Sequence, residues 1–301
     1  YITLHTTLTK SEDRFVNRAI MADIPKLEAQ QFSNICKDVL YELPDGDFTI
    51  NGNGEVYDFV TKSEGGELAF IMNTFTTSNS GIKNATDAPT VTVNDITITG
   101  TLRGTSMGIW VPKYNYQCHF STVFNNVNIV NNNIIPWTEE EGAGLAIFGV
   151  AELNNCSVYG TRYTEEYEDA PQALYDVTVR NRANATFNGG EYGLIYGKEQ
   201  SKITVKGGVV IDELYSLAIN TGNLGFMSIE DATIRELVVA PSTGYNPTTT
   251  VSKDATVTTL RFIGVTKFDK VTISDEATIG EIYVDDTRYA TIADFKQAIG
   301  K

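Results

Sequence analysis

Three short stretches hold most of the side chains that could do chemistry. They are Trp110-Val111-Pro112-Lys113-Tyr114-Asn115-Tyr116, Pro136-Trp137-Thr138-Glu139-Glu140-Glu141 and Arg162-Tyr163-Thr164-Glu165-Glu166-Tyr167-Glu168-Asp169. Together they contain both tryptophans, four tyrosines and seven carboxylates. Aromatic faces pack on the apolar CH face of a pyranose, and carboxylates accept hydrogen bonds from its hydroxyls. Trp110, Tyr114, Tyr116, Trp137, Tyr163, Tyr167 and Arg162 are therefore the expected ligand-binding residues for a polysaccharide or cell-surface glycan. Carboxylates in such numbers also suit calcium, which takes six to eight oxygen ligands. Glu139, Glu140, Glu165, Glu166 and Asp169 are the expected ligands of a calcium site. The competing account is plain: surface loops are polar, tyrosines pin them down, and Glu139-Glu140-Glu141 is a solvated run.

Motifs with a stricter chemistry are missing. There is no GxSxG elbow, no P-loop and no HExxH helix. The only histidines are His5 and His119, and the three cysteines, Cys36, Cys118 and Cys156, have no CxxC spacing. An odd cysteine count supports neither a disulfide framework nor a zinc site. Cys36 and Cys156 read as small buried hydrophobes. The sequence thus points away from catalysis.

A repeat must position these stretches. Asp95, Asn126, Asn155, Asn184, Gly208, Asp231, Asp254 and Glu276 each precede an apolar-x-apolar step, such as Ile96-Thr97-Ile98 or Ala232-Thr233-Ile234. Period two marks a strand with one buried face. Asn, Asp and Gly tolerate left-handed backbone, so a sharp bend belongs before each strand. The spacings are 31, 29, 29, 24, 23, 23 and 22 residues, the signature of a solenoid. Ile98, Ile129, Val158, Phe187, Ile211, Ile234, Val257 and Ile279 should then form one buried column. The first three intervals are the long ones, so loops 110–116, 136–142 and 161–170 are insertions on a regular stack. Coils in register lie ~4.8 Å apart, so loops on consecutive coils become neighbours.

This ladder of Asn/Asp turns with apolar-Thr-apolar strands resembles right-handed parallel β-helix proteins of the pectin-lyase-like kind, found among polysaccharide lyases, phage tailspikes and bacterial surface proteins. The resemblance implies an all-β fold: a right-handed, single-stranded parallel β-helix with an N-terminal helical cap and a short C-terminal helix. It also implies an extracellular or cell-surface location. The hydrolase motifs of that class are absent, because Asn220-Thr221-Gly222 lacks the needed carboxylate and no histidine has flanking glycines. The lyase motif is reduced to Arg180 and Arg182, which alternate with inward Val179.

The ends read as caps. Residues 1–88 carry helical runs from Ser11 and through Leu27, Phe32 and Val39, then a first strand Phe48-Thr49-Ile50. The regular stack occupies 89–288. Within 289–301, Thr291 can cap a helix with Ile292, Phe295 and Ile299 on one face. Net charge is −15 with no basic stripe, which argues against nucleic acid. No run of about 18 apolar residues is present to span a membrane. The expectation is a secreted or surface-displayed, non-catalytic module that binds glycan or serves adhesion, as monomer or homotrimer. The alternatives are a polysaccharide lyase or glycoside hydrolase, and a phage tailspike module.

Overall fold

The computed structural model describes residues 2–3, 48–59, 70–71, 90–104, 109–111, 121–136, 142–147, 150–163, 174–180, 183–198, 201–218, 226–241 and 248–301. These form an all-β solenoid: strands stack in parallel, coil upon coil, and one short helix stands at the C-terminal end. The predicted helical runs between Ser11 and Val39 lie outside the described residues. Among the described residues no helix is long and apolar enough to cross a membrane.

Each coil contributes to three parallel faces. The first face includes Asn184–Asn188, Lys202–Lys206, Phe226–Ile229, Thr248–Val251 and Val271–Ile273. The second includes Ser157–Tyr159 and, on successive coils, residues 191–192, 209–211, 232–234, 256–257 and 278–279. The third includes Ile109–Val111, Gly142–Ile147 and Leu174–Val179, then residues 194–198, 213–218, 236–241, 259–262 and 281–284. Alternation decides what is inside. On the third face Leu145, Val177, Ile195, Leu214, Leu237, Leu260 and Ile282 are all buried on one register line.

The second-face column runs Ile98, Ile129, Val158, Tyr192, Ile211, Ile234, Val257 and Ile279. All but Ile279 are buried, and Ile279 packs against the core's edge on the last coil. Phe187, expected in this column, belongs to the first face, in register with Leu153 and Val205. The reason is local. The bend follows Phe187 at Asn188-Gly189-Gly190, where both glycines have positive φ. A Cβ on Gly190 would lie 1.9 Å from the Cys156 carbonyl oxygen, so only glycine lets the two coils meet. Asn184 imitates the turn residue because first-face and second-face strands share the apolar-x-apolar pattern. Paired residues are consequently 34 apart from Ser157 to Glu191 and 19 apart from Glu191 to Val210. The third coil carries the largest insertion, and the fourth is shorter than the repeat predicted.

The left-handed bend is observed at Asp95, Asn126, Asn155 and Gly208, but not at Asn184, Asp231 or Asp254. Immediately before the first three of these runs an asparagine ladder that the apolar repeat does not mark. The Nδ2 of Asn94, Asn125, Asn154 and Asn188 donates to the Oδ1 of Asn51, Asn94, Asn125 and Asn154 respectively, at 2.9–3.0 Å. Each amide spans one coil spacing, so it ties turn to turn without bending the stack.

The far end closes as the sequence predicts. Thr287–Tyr289 folds back antiparallel on residues 282–284, and the helix Ile292–Ala298 follows. The Thr291 Oγ1 accepts a hydrogen bond from the Asp294 N–H at 3.0 Å. Phe295 is buried and stacks on Phe262, with ring centroids 5.4 Å apart. The helix thereby covers core that the last coil would expose to water.

Candidate carbohydrate-binding face

The insertions begin at the corner between second and third faces. There 101–104, Asn133–Pro136 and Arg162–Tyr163 form a short parallel sheet of their own, with Leu102, Ile134 and Tyr163 in register. Stretches 137–141 and 164–173 depart from adjacent strands of this sheet. Arg162 is exposed, and its Nε donates to the Asn133 Oδ1 at 2.7 Å, which aligns two inserted segments. Trp110 is placed differently from the expectation. It lies in a third-face strand, at the register position of Ala146. Tyr114, Tyr116, Trp137 and Tyr167 lie outside the described residues. So do the calcium candidates Glu139, Glu140, Glu165, Glu166 and Asp169. Among the described residues no three His, Cys, Asp or Glu side chains gather closely enough to hold a metal ion.

A buried carboxylate locks the insertion corner. Asp176 Oδ1 accepts the Thr161 N–H at 2.9 Å and Oδ2 accepts the Leu194 N–H at 2.8 Å. It thus joins the last inserted strand to the first short coil. Gly193 makes room for it, since a Cβ there would lie 2.0 Å from Oδ2. Tyr175 stacks flat on Tyr196, with centroids 4.2 Å apart and 3° between planes.

That stack belongs to a stripe on the third face. The register line through Trp110 continues as Ala146, Thr178, Tyr196, Tyr215, Val238, Arg261 and Tyr283. Tyr196 and Tyr215 rings lie 5.4 Å apart, and the Arg261 guanidinium sits 4.4 Å over the Tyr283 ring. Tyr215, Arg261 and Tyr283 are half-buried, whereas Tyr196 and Val238 on the same line are buried. Two residues back on each strand runs a second line: Leu194, Glu213, Glu236, Thr259 and Glu281. An aromatic and aliphatic floor therefore has a wall of carboxylates along one edge.

The charges of the wall are unequal. Glu236 accepts from the Arg261 Nε at 2.8 Å and lies 3.5 Å from an Arg235 guanidinium nitrogen. Arg235 is engaged chiefly by Asp212, at 2.6 Å, which raises its pKa. Glu281 accepts from Arg288 at 2.7 Å, and that hydrogen bond holds its carboxyl below the ordinary carboxylate range. Glu213 makes neither hydrogen bond nor ion pair among the described residues. Burial, and then the neighbouring Glu236, push its pKa up. Burial and the Glu213 charge raise the Tyr215 hydroxyl likewise. The signal for this wall was present in the repeat: Glu213, Glu236 and Glu281 each stand five residues after Gly208, Asp231 and Glu276.

Comparison with known proteins adds no relative: no protein-family model, no curated protein and no solved structure matches the chain.

Proposed function

We propose that the protein is a non-catalytic, secreted or surface-displayed β-solenoid of pectin-lyase-like architecture that binds an extended polysaccharide along its third face. The observation that carries this reading is the third-face register line on which half-buried Tyr215, Arg261 and Tyr283 are flanked by Glu213, Glu236 and Glu281. Stacking partners spread over several successive coils suit a linear polymer better than a small ligand, and carboxylates beside them orient its hydroxyls.

The test is retention on immobilised neutral, acidic and amino polysaccharides, with Tyr215→Ala and Tyr283→Ala beside the unaltered chain. Weakened retention with unchanged melting supports the floor. Failure of the unaltered chain to bind any polymer in the panel overturns the reading. A second reading, a glycoside hydrolase, is favoured by one pair: Glu213 and Glu236 are in register on adjacent coils, one without an ion-pair partner among the described residues and the other paired with Arg261. New reducing ends released from a bound polymer would select it.

A further inference from the structure

We propose that the polysaccharide recognised by this face carries protonated primary amines, and that Glu213 is the ion-pair acceptor for them. The inference rests on the glycan-binding reading and names its ligand class.

The argument is one of unmatched charge. Among the described residues the arginines beside the wall are already committed. Arg235 spans Asp212 and Glu236, Arg261 is held by Glu236 and lies over Tyr283, and Arg288 is held by Glu281. Among the described residues Glu213 is left as the one wall carboxylate with neither hydrogen bond nor ion pair, and it is half-buried. The groups that face it are Asp212 and Tyr215 on its own strand and Arg235 and Glu236 on the next coil. The preceding coil offers the apolar Leu194 at the same register position. A half-desolvated carboxylate gains more from a charged donor than from a neutral one. A neutral sugar hydroxyl would satisfy one lone pair and leave the charge. A uronic or sulfated polymer would meet Glu213, Glu236 and Asp212 with like charge, on a chain of net charge −15. A hexosamine polymer with free amines fits instead: one ring lies on half-buried Tyr215, and an ammonium reaches Glu213 two residues away on the same outward side of the strand.

The pH dependence has a definite sign. Glu213 must be ionised to attract an ammonium, and its pKa is raised by burial and by Glu236. Affinity for the amine polymer should fall as pH drops through that raised value, and fall again on the alkaline side as the amines lose their protons.

The test is affinity for soluble oligomers of fully de-N-acetylated and fully N-acetylated hexosamine, measured calorimetrically at several pH values with the whole chain. Glu213→Gln is nearly isosteric and keeps a hydrogen-bond acceptor, so it removes charge alone. The expected result is about tenfold weaker binding of the free-amine oligomer, loss of the acid limb, and no change for the acetylated one. Tyr215→Ala should weaken both. If Tyr215→Ala weakens both oligomers and Glu213→Gln changes neither, the glycan-binding face stands and the amine inference is overturned. Equal or tighter binding of the acetylated oligomer by the unaltered chain also overturns it. Binding of neither oligomer, with retention on another polymer, overturns it while leaving the broader reading in place.

Discussion

Asp176 offers the sharpest test of how the inserted coils are held. Its two oxygens each accept one backbone N–H, from Thr161 and Leu194, at 2.9 and 2.8 Å. Hydrogen bonds to a charged acceptor contribute about 1.5–3 kcal/mol each. Asp176→Ala removes both and should cost about 3–6 kcal/mol. Asp176→Asn is more diagnostic, because its shape is the same. An amide has one acceptor oxygen, so its NH2 must face one of the two N–H donors. The loss should be about 2–4 kcal/mol despite the isosteric change. Gly193 gives an internal control, since a Cβ there would lie 2.0 Å from the Asp176 Oδ2. Gly193→Ala should be damaging alone and far milder beside Asp176→Ala, a coupling well above the few tenths of a kcal/mol expected of independent sites. Urea unfolding followed by circular dichroism measures the totals. Hydrogen exchange of peptides covering 157–163 and 191–198 shows where protection is lost. An Asn variant within about 0.5 kcal/mol of the unaltered protein, with both peptides still protected, would refute the account.

Three further outcomes follow from the core and the turns. Ile234→Asp puts an unpaired charge in the middle of the second-face column, where Ile234 is fully buried, and should cost about 4 kcal/mol or more in urea unfolding. Asn125→Ala removes two ladder hydrogen bonds, to Asn94 and from Asn154, and should lower stability by about 1–3 kcal/mol; Asn125→Asp, which cannot donate to Asn94, should recover little of it. The Cys156 thiol is fully buried, and burial pushes its pKa up to about 11, so alkylation at pH 8 resolved by peptide mass should be slow in the folded chain and fast in denaturant. Rapid native labelling at that position would show that the turn beside Gly190 opens.

Period-two alternation with Asn, Asp and Gly punctuation made the solenoid legible, because burial on one side of a strand constrains every second residue. The C-terminal helix was equally legible, since Thr291, Phe295 and Ile299 are a capping residue and a helical face. The position of the fourth bend was not. Ala185-Thr186-Phe187 and Tyr192 satisfy the same alternation on two different faces, and only the steric demand at Gly190 decides between them. Trp110 was assigned to a loop by the residues that follow it. Its own neighbours Ile109 and Val111 carry the strand signal, and they win. The asparagine ladder escaped notice because its members stand one residue before the bend, where a polar side chain reads as ordinary turn composition. Asp176 and Gly193 were invisible for a different reason. Their relation is a contact between coils, and no local pattern encodes it.

The three faces differ outside as much as they agree inside, and that difference fixes where binding should fail to be disturbed. The outward line of the first face is Thr186, Thr204, Ser228, Thr250 and Thr272, and that of the second ends in Thr233, Thr256 and Thr278. β-Branched hydroxyl residues favour the strand conformation and meet water comfortably, but they offer no ring to stack on and no charge to orient a sugar. On the third face the corresponding line carries the half-buried Tyr215, Arg261 and Tyr283, in spite of the solvent cost of exposing rings. Thr204→Ala with Thr250→Ala should therefore leave retention on the bound polysaccharide unchanged, while Tyr215→Ala with Tyr283→Ala weakens it; each pair sits on one face, and melting curves control for folding. Equal loss from both pairs would mean that the polymer is not confined to the third face. Loss from the threonine pair alone would move the site to the first face and leave the tyrosines as packing.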